Sequence, residues 1–471
     1  MSKNIFLFFC AVPWLCTGLQ AQGVERQLAK AAERLLGDKQ MQHATVSLYV
    51  VETATGKEVF KLNEQVGVAP ASSQKIFTAA AALELLGPGY RYATTVMMDD
   101  QLRDSVLNGN IYIQGGGDPT LGSWRYKSIP ETAFADSFRR AVREAGIRQV
   151  TGAVVPYLKN WGTQTVPDGW IWEDLGNYFG AGATGLNWHE NQYDIVLRPG
   201  KRAGDKVEIA RTEPPLYNTV LVNELRTGPS GSGDNSNIYI GPYGTVGYIR
   251  GTVPAKSSFT ISGAMPQPVL QCTNLLAEQL KQDGITVALP TFQPDEELYQ
   301  RQYVRNPYKT LYTHYSVSLD SIVYWFMQKS VNLYGEAFLK TIGLQLQNEG
   351  STDAGVKAIR AFWADNGIDR NSCKIQDGSG LSPQNRVTTK AEVAVLQYAR
   401  SRPWFSSFYN ALPMYNDMHM KSGTIFATKA FAGYHTSKAG VEYAFSIIIN
   451  NFDGTSADAT QKIYRMLDEL K

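Results

Sequence analysis

Apolar residues recur along this chain with two different periods, and the changes of period mark out its elements. Val24 to Leu36 repeats them at helical spacing and stops at Gly37, which predicts an amphipathic helix. Ala44 to Val51 and Glu58 to Leu62 are strand-like on either side of the turn Thr53-Ala54-Thr55-Gly56, a β-hairpin. Ser73 to Leu86, rich in Ala and Leu, predicts a helix closed by Gly87-Pro88-Gly89. From about Tyr92 to about Pro307 the texture turns to short strands, glycines and prolines. Within it Asn108 to Gln114 is strand-like, and Thr227 to Asn237 is a Gly/Ser/Asn-rich stretch that predicts a mobile surface loop. Val269 to Gly284 predicts a helix with Leu275, Leu276 and Leu280 on one face.

Helical texture then returns. Ser318 to Leu346 reads as helices broken at Ser330-Val331-Asn332, and Asp353 to Asn366 as another helix. Asp377-Gly378-Ser379-Gly380-Leu381-Ser382 is a tight loop, and Thr388 opens a helix to Ser401. Met418 to Ser422, Ala430 to Tyr434 and Tyr443 to Asn450 predict successive strands of one sheet, with a closing helix, Ala457 to Leu470, packed on it. The pattern is that of an α+β chain interrupted by one or two inserted domains.

Composition narrows the class. The chain has 471 residues, 43% hydrophobic and 19% charged, which is globular and long enough for about three domains of ~150 residues each. A net charge of +2 without a basic stripe argues against nucleic acid as a partner. Lys3, the apolar run Ile5 to Leu15 and the small and polar residues ending near Ala21 predict a secretory signal over residues 1–21. Cys16 follows Trp14-Leu15, a poor lipoprotein context, and no later apolar run reaches membrane-spanning length, so the mature chain is expected to be exported without a transmembrane anchor. Cys272 and Cys373 remain after the signal; they either pair or stay as buried thiols. No Cys-x-x-Cys or close His pair is present, so neither a metal nor another cofactor is expected, and His419 reads as a strand histidine.

Three short motifs carry candidate chemistry. Ser72 and Lys75 form Ser-x-x-Lys: one helical turn apart, the amine can reach the hydroxyl and serve as its base if burial and a nearby cation lower its pKa. Ser330 and Asn332 can relay a proton to a leaving group and hold an acyl amide. Lys421, Ser422, Gly423 and Thr424 lie on a strand-like segment. Lys421 offers positive charge, Ser422 a hydroxyl for a carboxylate and Gly423 room for a substrate backbone. The N–H groups of Thr424 and Ser72 together suit an oxyanion hole. Each motif alone is explained as well by an ordinary helix start, a helix junction or a strand-edge lysine. Their order and contexts together indicate a serine acyl-enzyme.

With these motifs and Pro70-Ala71-Ser72-Ser73-Gln74-Lys75, Gly115-Gly116-Gly117-Asp118-Pro119-Thr120-Leu121 and Asp377-Gly378-Ser379-Gly380-Leu381-Ser382, the chain resembles the class C low-molecular-mass penicillin-binding proteins, the D-alanyl-D-alanine carboxypeptidase/endopeptidases. The long insertion between Ser72 and Ser330 belongs to the same likeness. The resemblance implies a serine β-lactamase/DD-peptidase-like transpeptidase domain, an antiparallel sheet flanked by helices, over residues 23–94 plus 303–471. Two accessory domains would be inserted over 95–302, the second about 189–262. It further implies a periplasmic enzyme acting on peptidoglycan stem peptides or D-Ala cross-links, with β-lactam antibiotics as covalent inhibitors of Ser72. Lys421-Ser422-Gly423 stands where Lys-Thr-Gly is commoner, and Pro383 where many relatives have Arg; Arg386 is the nearby substitute. Two other functions share the motifs: a serine β-lactamase, against which the long insertion argues, and a non-catalytic peptidoglycan-binding protein, against which the intact Ser72 and Lys75 argue.

Overall fold

The computed structural model describes residues 13–293 and 308–471; residues 1–12 of the expected signal, and the expected junction at 302 and 303, lie outside them. A six-stranded antiparallel sheet joins the two ends of the chain, in the order Glu58–Leu62, Thr45–Glu52, Glu442–Asn450, Thr428–Thr436, Met418–Ile425, Met414–Tyr415. The N-terminal hairpin is thus knitted to the last strand of the chain, with Thr45 opposite Asn450 and Glu52 opposite Tyr443. Glu442–Asn450 is apolar almost throughout (EYAFSIIIN) because both of its faces are covered, and all its interior positions are buried.

One face of the sheet packs against the terminal helices Pro13–Leu36 and Ser456–Leu467, where Leu28, Leu35, Ile463 and Leu467 meet Leu48, Phe445 and Ile447. The other face packs against Thr389–Arg400, and Lys75–Leu85, Leu319–Gln328 and Asn332–Gln347 share the same core. Lys75–Leu85 is buried from Lys75 to Leu83, and its four consecutive alanines let neighbouring helices close around it. The expected C-terminal helix is therefore a core helix, each large apolar side chain it buries contributing ~1.5–3 kcal/mol.

The middle of the chain builds its own sheets around a second core that includes Val96, Ile113, Phe138, Ile249 and Leu276. Its outgoing strand, Ala93–Asp99, lies antiparallel to its returning strand, Tyr308–Tyr315, with Ala93 opposite Tyr315. Gln192–Arg198 pairs with Glu208–Glu213 and Phe259–Ala264, and Val246–Pro254 anchors a further sheet.

Some expectations change. The Thr227–Asn237 stretch is not a free loop: Arg226–Gly228 and Asn235–Tyr239 both pair with Val246–Pro254, because backbone pairing to a long central strand needs little from the side chains. A helix at Ala133–Glu144 was not anticipated, although Phe134, Phe138 and Val142 recur on its buried face. Cys272 and Cys373 are free and buried in separate cores, which rules out a bond between them in this structure. Among the described residues no helix is long and apolar enough to cross a membrane.

Candidate active site

The chain reaches Ser72 through Ala71, whose φ of 49° is left-handed, and enters a 3-10 turn, Ala71–Gln74. The α-helix begins only at Lys75, so Ser72 precedes the helix rather than opening it. The pairing foreseen for a helical turn arises from the tighter one: residues i and i+3 of a 3-10 turn eclipse, and Lys75 Nζ lies 2.9 Å from Ser72 Oγ. Between them Ser73 fixes the turn, its Oγ lying 2.8 Å from the Pro70 carbonyl and 2.6 Å from Glu392 Oε1. Ser446 Oγ lies 2.6 Å from the other Glu392 oxygen, so both carboxyl oxygens are hydrogen-bonded. Burial pushes the Glu392 carboxyl up to about 7, against the hydrogen bonds from Ser446 and Ser73.

Lys75 is fully buried, and its amine contacts Ser72 Oγ at 2.9 Å, Asn332 Oδ1 at 2.7 Å and the Ser379 carbonyl at 2.7 Å. Burial lowers its pKa to about 7, against the opposing pull of Asp377 and Glu336. Ser330 (φ 56°) breaks the chain between two helices, and Asn332 starts the second of them, Asn332–Gln347. One turn further, both oxygens of Glu336 accept the Gly378 N–H at 3.1 Å, tethering the loop just ahead of Ser379. Burial, helped by Asp377, raises Glu336 to about 8. Asp377 itself accepts from Gly380 N (2.7 Å), Ser382 N (2.7 Å), Asn385 Nδ2 (3.1 Å) and the indole of Trp170 (2.9 Å).

The Met418–Ile425 strand forms the opposite wall. Its short outer neighbour pairs with Met418 and His419, and among the described residues no strand pairs with that edge from Lys421 to Ile425. Gly423 is packed against the Ser72 turn: a Cβ there would lie 2.5 Å from Pro70 O and 2.9 Å from Ser72 N. Lys421 is buried and donates to the Ser422 carbonyl at 2.9 Å. Burial first, then the charges of Lys75 and Lys429, hold its pKa well below the ordinary lysine range. Thr424 Oγ1 accepts from Lys429 at 2.8 Å.

Ser72, Lys75 and Asn332 are thus joined by direct hydrogen bonds, Gly423 by packing and Lys421 by charge. Among the described residues the side chains of Ser330 and Ser422 make no hydrogen bond, and that of Thr424 is turned to Lys429. Arg386 folds back on its own loop, donating to Pro383 O (2.6 Å) and Asn385 O (2.7 Å). His419 is a strand residue stacked 4.3 Å from Tyr409. Ser379, Asp377, Glu336, Trp170 and the Phe179 carbonyl, 2.8 Å from Asn332 Nδ2, were missed from the sequence as parts of the site. The Asp377–Ser382 motif signalled the first two; Glu336 stands one turn from Asn332; nothing local marked Trp170 or Phe179.

The model of the D-Ala-D-Ala carboxypeptidase 3 (S13) family matches residues 28–471. The chain belongs to that family. It is a serine-type D-Ala-D-Ala carboxypeptidase, with the mixed α+β fold of that group. The D-alanyl-D-alanine carboxypeptidase of Actinomadura sp. (strain R39) is 27% identical over 471 residues, covering 92% of this chain and 83% of the relative. The carboxypeptidase DacB of Haemophilus influenzae is 22% identical, covering 83% of this chain and 82% of its own. The crystal structure of penicillin-binding protein 4 from Haemophilus influenzae superposes with a TM-score of 0.78 at 19% identity, over 96% of this chain and 99% of that one, a likeness of fold.

Proposed function

We propose that the peptidase hydrolyses peptidoglycan stem peptides ending in D-Ala-D-Ala, or D-Ala cross-links, through an acyl-Ser72 intermediate. The observation that carries this is the coordination of Lys75. As a neutral amine it has two N–H groups and one lone pair. Asn332 Oδ1 and the Ser379 carbonyl accept the two hydrogens, and the lone pair is left for the Ser72 hydroxyl at 2.9 Å. Burial makes that neutral form accessible near pH 7.

Ser72 Oγ attacks the penultimate D-Ala carbonyl as its proton passes to Lys75. The N–H groups of Ser72 and Thr424 stabilise the oxyanion. The substrate adds its backbone along the Lys421–Ile425 edge, where Gly423 supplies the clearance. Ser330 passes its proton to the departing amine while taking up the one held by Lys75, and water then attacks the acyl ester, releasing the acid and freeing Ser72. Lys421 and Ser422 bind the terminal carboxylate. That carboxylate raises the pKa of Lys421, and the resulting cation lowers that of Lys75 further, so substrate binding itself frees the base. Residues 95–302 are the accessory region in this scheme, with 189–262 its second unit.

β-Lactams would acylate Ser72 by the same attack; a Haemophilus influenzae penicillin-binding protein 4 of this fold was crystallised with one. The apolar N-terminal run and the wall substrate favour action in the periplasm. Mass spectrometry after penicillin labelling tests the scheme. The expected adduct is on Ser72, and an adduct elsewhere, or none, contradicts it. Purified muropeptides, scored for loss of D-Ala against loss of dimers, separate exo- from endo-cleavage.

A further inference from the structure

We propose that residues 164–190, in the middle of the chain, are a positioning element for the catalytic amine. They hold from behind both carbonyl-type oxygens that orient Lys75. The inference deepens the scheme above and rests on Lys75 being the base.

The first oxygen is Asn332 Oδ1. An amide can present either its oxygen or its NH₂, and an NH₂ aimed at Lys75 would oppose one donor to another. The Phe179 carbonyl accepts Asn332 Nδ2 at 2.8 Å and so turns Oδ1 toward Lys75. A short 3-10 turn, Tyr178–Gly180, presents that carbonyl. Asn177 secures the turn, its carbonyl accepting the Gly180 N–H at 2.7 Å and its side chain donating to Glu173 O at 2.7 Å.

The second oxygen is the Ser379 carbonyl. Its loop is wound around the Asp377 carboxylate, where Oδ1 takes the Gly380 N–H and Oδ2 the Ser382 N–H. Trp170, itself buried, donates its indole N–H to the same Oδ2 at 2.9 Å. It is the donor to Asp377 that comes from the inserted part of the chain.

The helix carrying Asn332 is anchored to the same segment along its length. Tyr334 OH lies 2.7 Å from Glu190 Oε1, and the buried Lys340 amine donates to Ala183 O at 2.8 Å and to the Gln164 carbonyl. Segment 164–190 therefore touches the catalytic group at three levels: the Asn332 amide, the Asp377 loop and the flank of the helix. These residues touch neither Ser72 nor Lys75 by hydrogen bond. Their effect passes through the two acceptors, and it is expressed in the position of the amine and the exclusion of water from it.

The test is the pH profile of single-turnover acylation by a fluorescent penicillin in the full-length protein, wild type against Trp170→Phe. Phenylalanine keeps an aromatic ring but removes the donor together with part of the indole's volume, so stability is followed alongside. A loosened Asp377 loop admits water to Lys75 and returns its pKa toward the ordinary value. The expected result is a midpoint raised by about one pH unit, with acylation near pH 7 about tenfold slower and recovering at alkaline pH. Trp170→His, which retains a ring N–H, should recover part of the shift.

An unchanged midpoint in Trp170→Phe overturns the inference. So does a lower melting temperature with a reduced labelled fraction but a wild-type profile in the protein that remains, since that is structural support alone. Should Trp170→Phe not fold, Lys340→Met, which releases the Ala183 and Gln164 carbonyls, is put to the same criteria. A wild type that shows no titration near neutrality would instead refute Lys75 as the base, so the two failures are distinct.

Discussion

Acylation of Ser72 should titrate with the Lys75 amine. A lysine at its ordinary pKa of 10.5 is neutral in only about 3 molecules in 10,000 at pH 7. Held at about 7 by burial, it is neutral in roughly half of them, so the fold raises the neutral fraction on the order of a thousandfold. The perturbation is therefore pH alone. With the midpoint at about 7, the neutral fraction falls to ~10% at pH 6 and ~1% at pH 5. Second-order acylation rates for a fluorescent penicillin, measured by quenched gel densitometry between pH 5 and 8, should fall about tenfold per unit on the acid side. The same shift has a stability counterpart. The unfolded chain takes up this proton near 10.5 and the folded one near 7, so the unfolded state holds more protons between those values and stability rises with pH across that window. An acylation rate that stays flat from pH 5 to 8 would refute the role of Lys75, as would a midpoint near that of free lysine.

Gly423→Ala places a methyl 2.5 Å from Pro70 O and 2.8 Å from Ser73 N, so the edge strand must back away from the Ser72 turn. A displacement of about 1 Å costs on the order of a hundredfold in acylation, and kinetics alongside circular dichroism should show the rate lost with the fold kept. Glu392→Gln should be nearly neutral for stability at acid pH. The carboxyl is raised from 4.5 to about 7 on folding, so its contribution is present below 4.5 and lost as pH rises through 7; melting temperatures of the variant should lack that decline. Cys272 and Cys373 should resist a thiol reagent in the native protein and both react after denaturation, because each is buried and burial pushes each thiol well up.

Much of the catalytic half was legible in the sequence because its signals are local. The hairpin at 45–62, the last three strands and the closing helix all carry their periodicity within one segment. Ser72 and Lys75 are likewise three residues apart, and any helical turn, 3-10 or α, brings them onto one line. The helix break at Ser330 was readable as a junction, though not its left-handed backbone. Gly423 was foreseen as room for a substrate; the structure adds that the glycine also lets the strand touch the Ser72 turn.

The chain's order of residues determined the Ser72–Lys75 spacing and the α+β class, because each depends on spacings of a few residues. Tertiary structure alone decided that the two side chains meet and that the amine is buried. The burial that lowers Lys75 comes from helices far apart in sequence, and its acceptors are aimed by Phe179, Trp170 and Asp377. A pKa reports the whole surroundings of a group, and hydrogen bonds spanning 153 and 207 residues leave no trace in the local pattern.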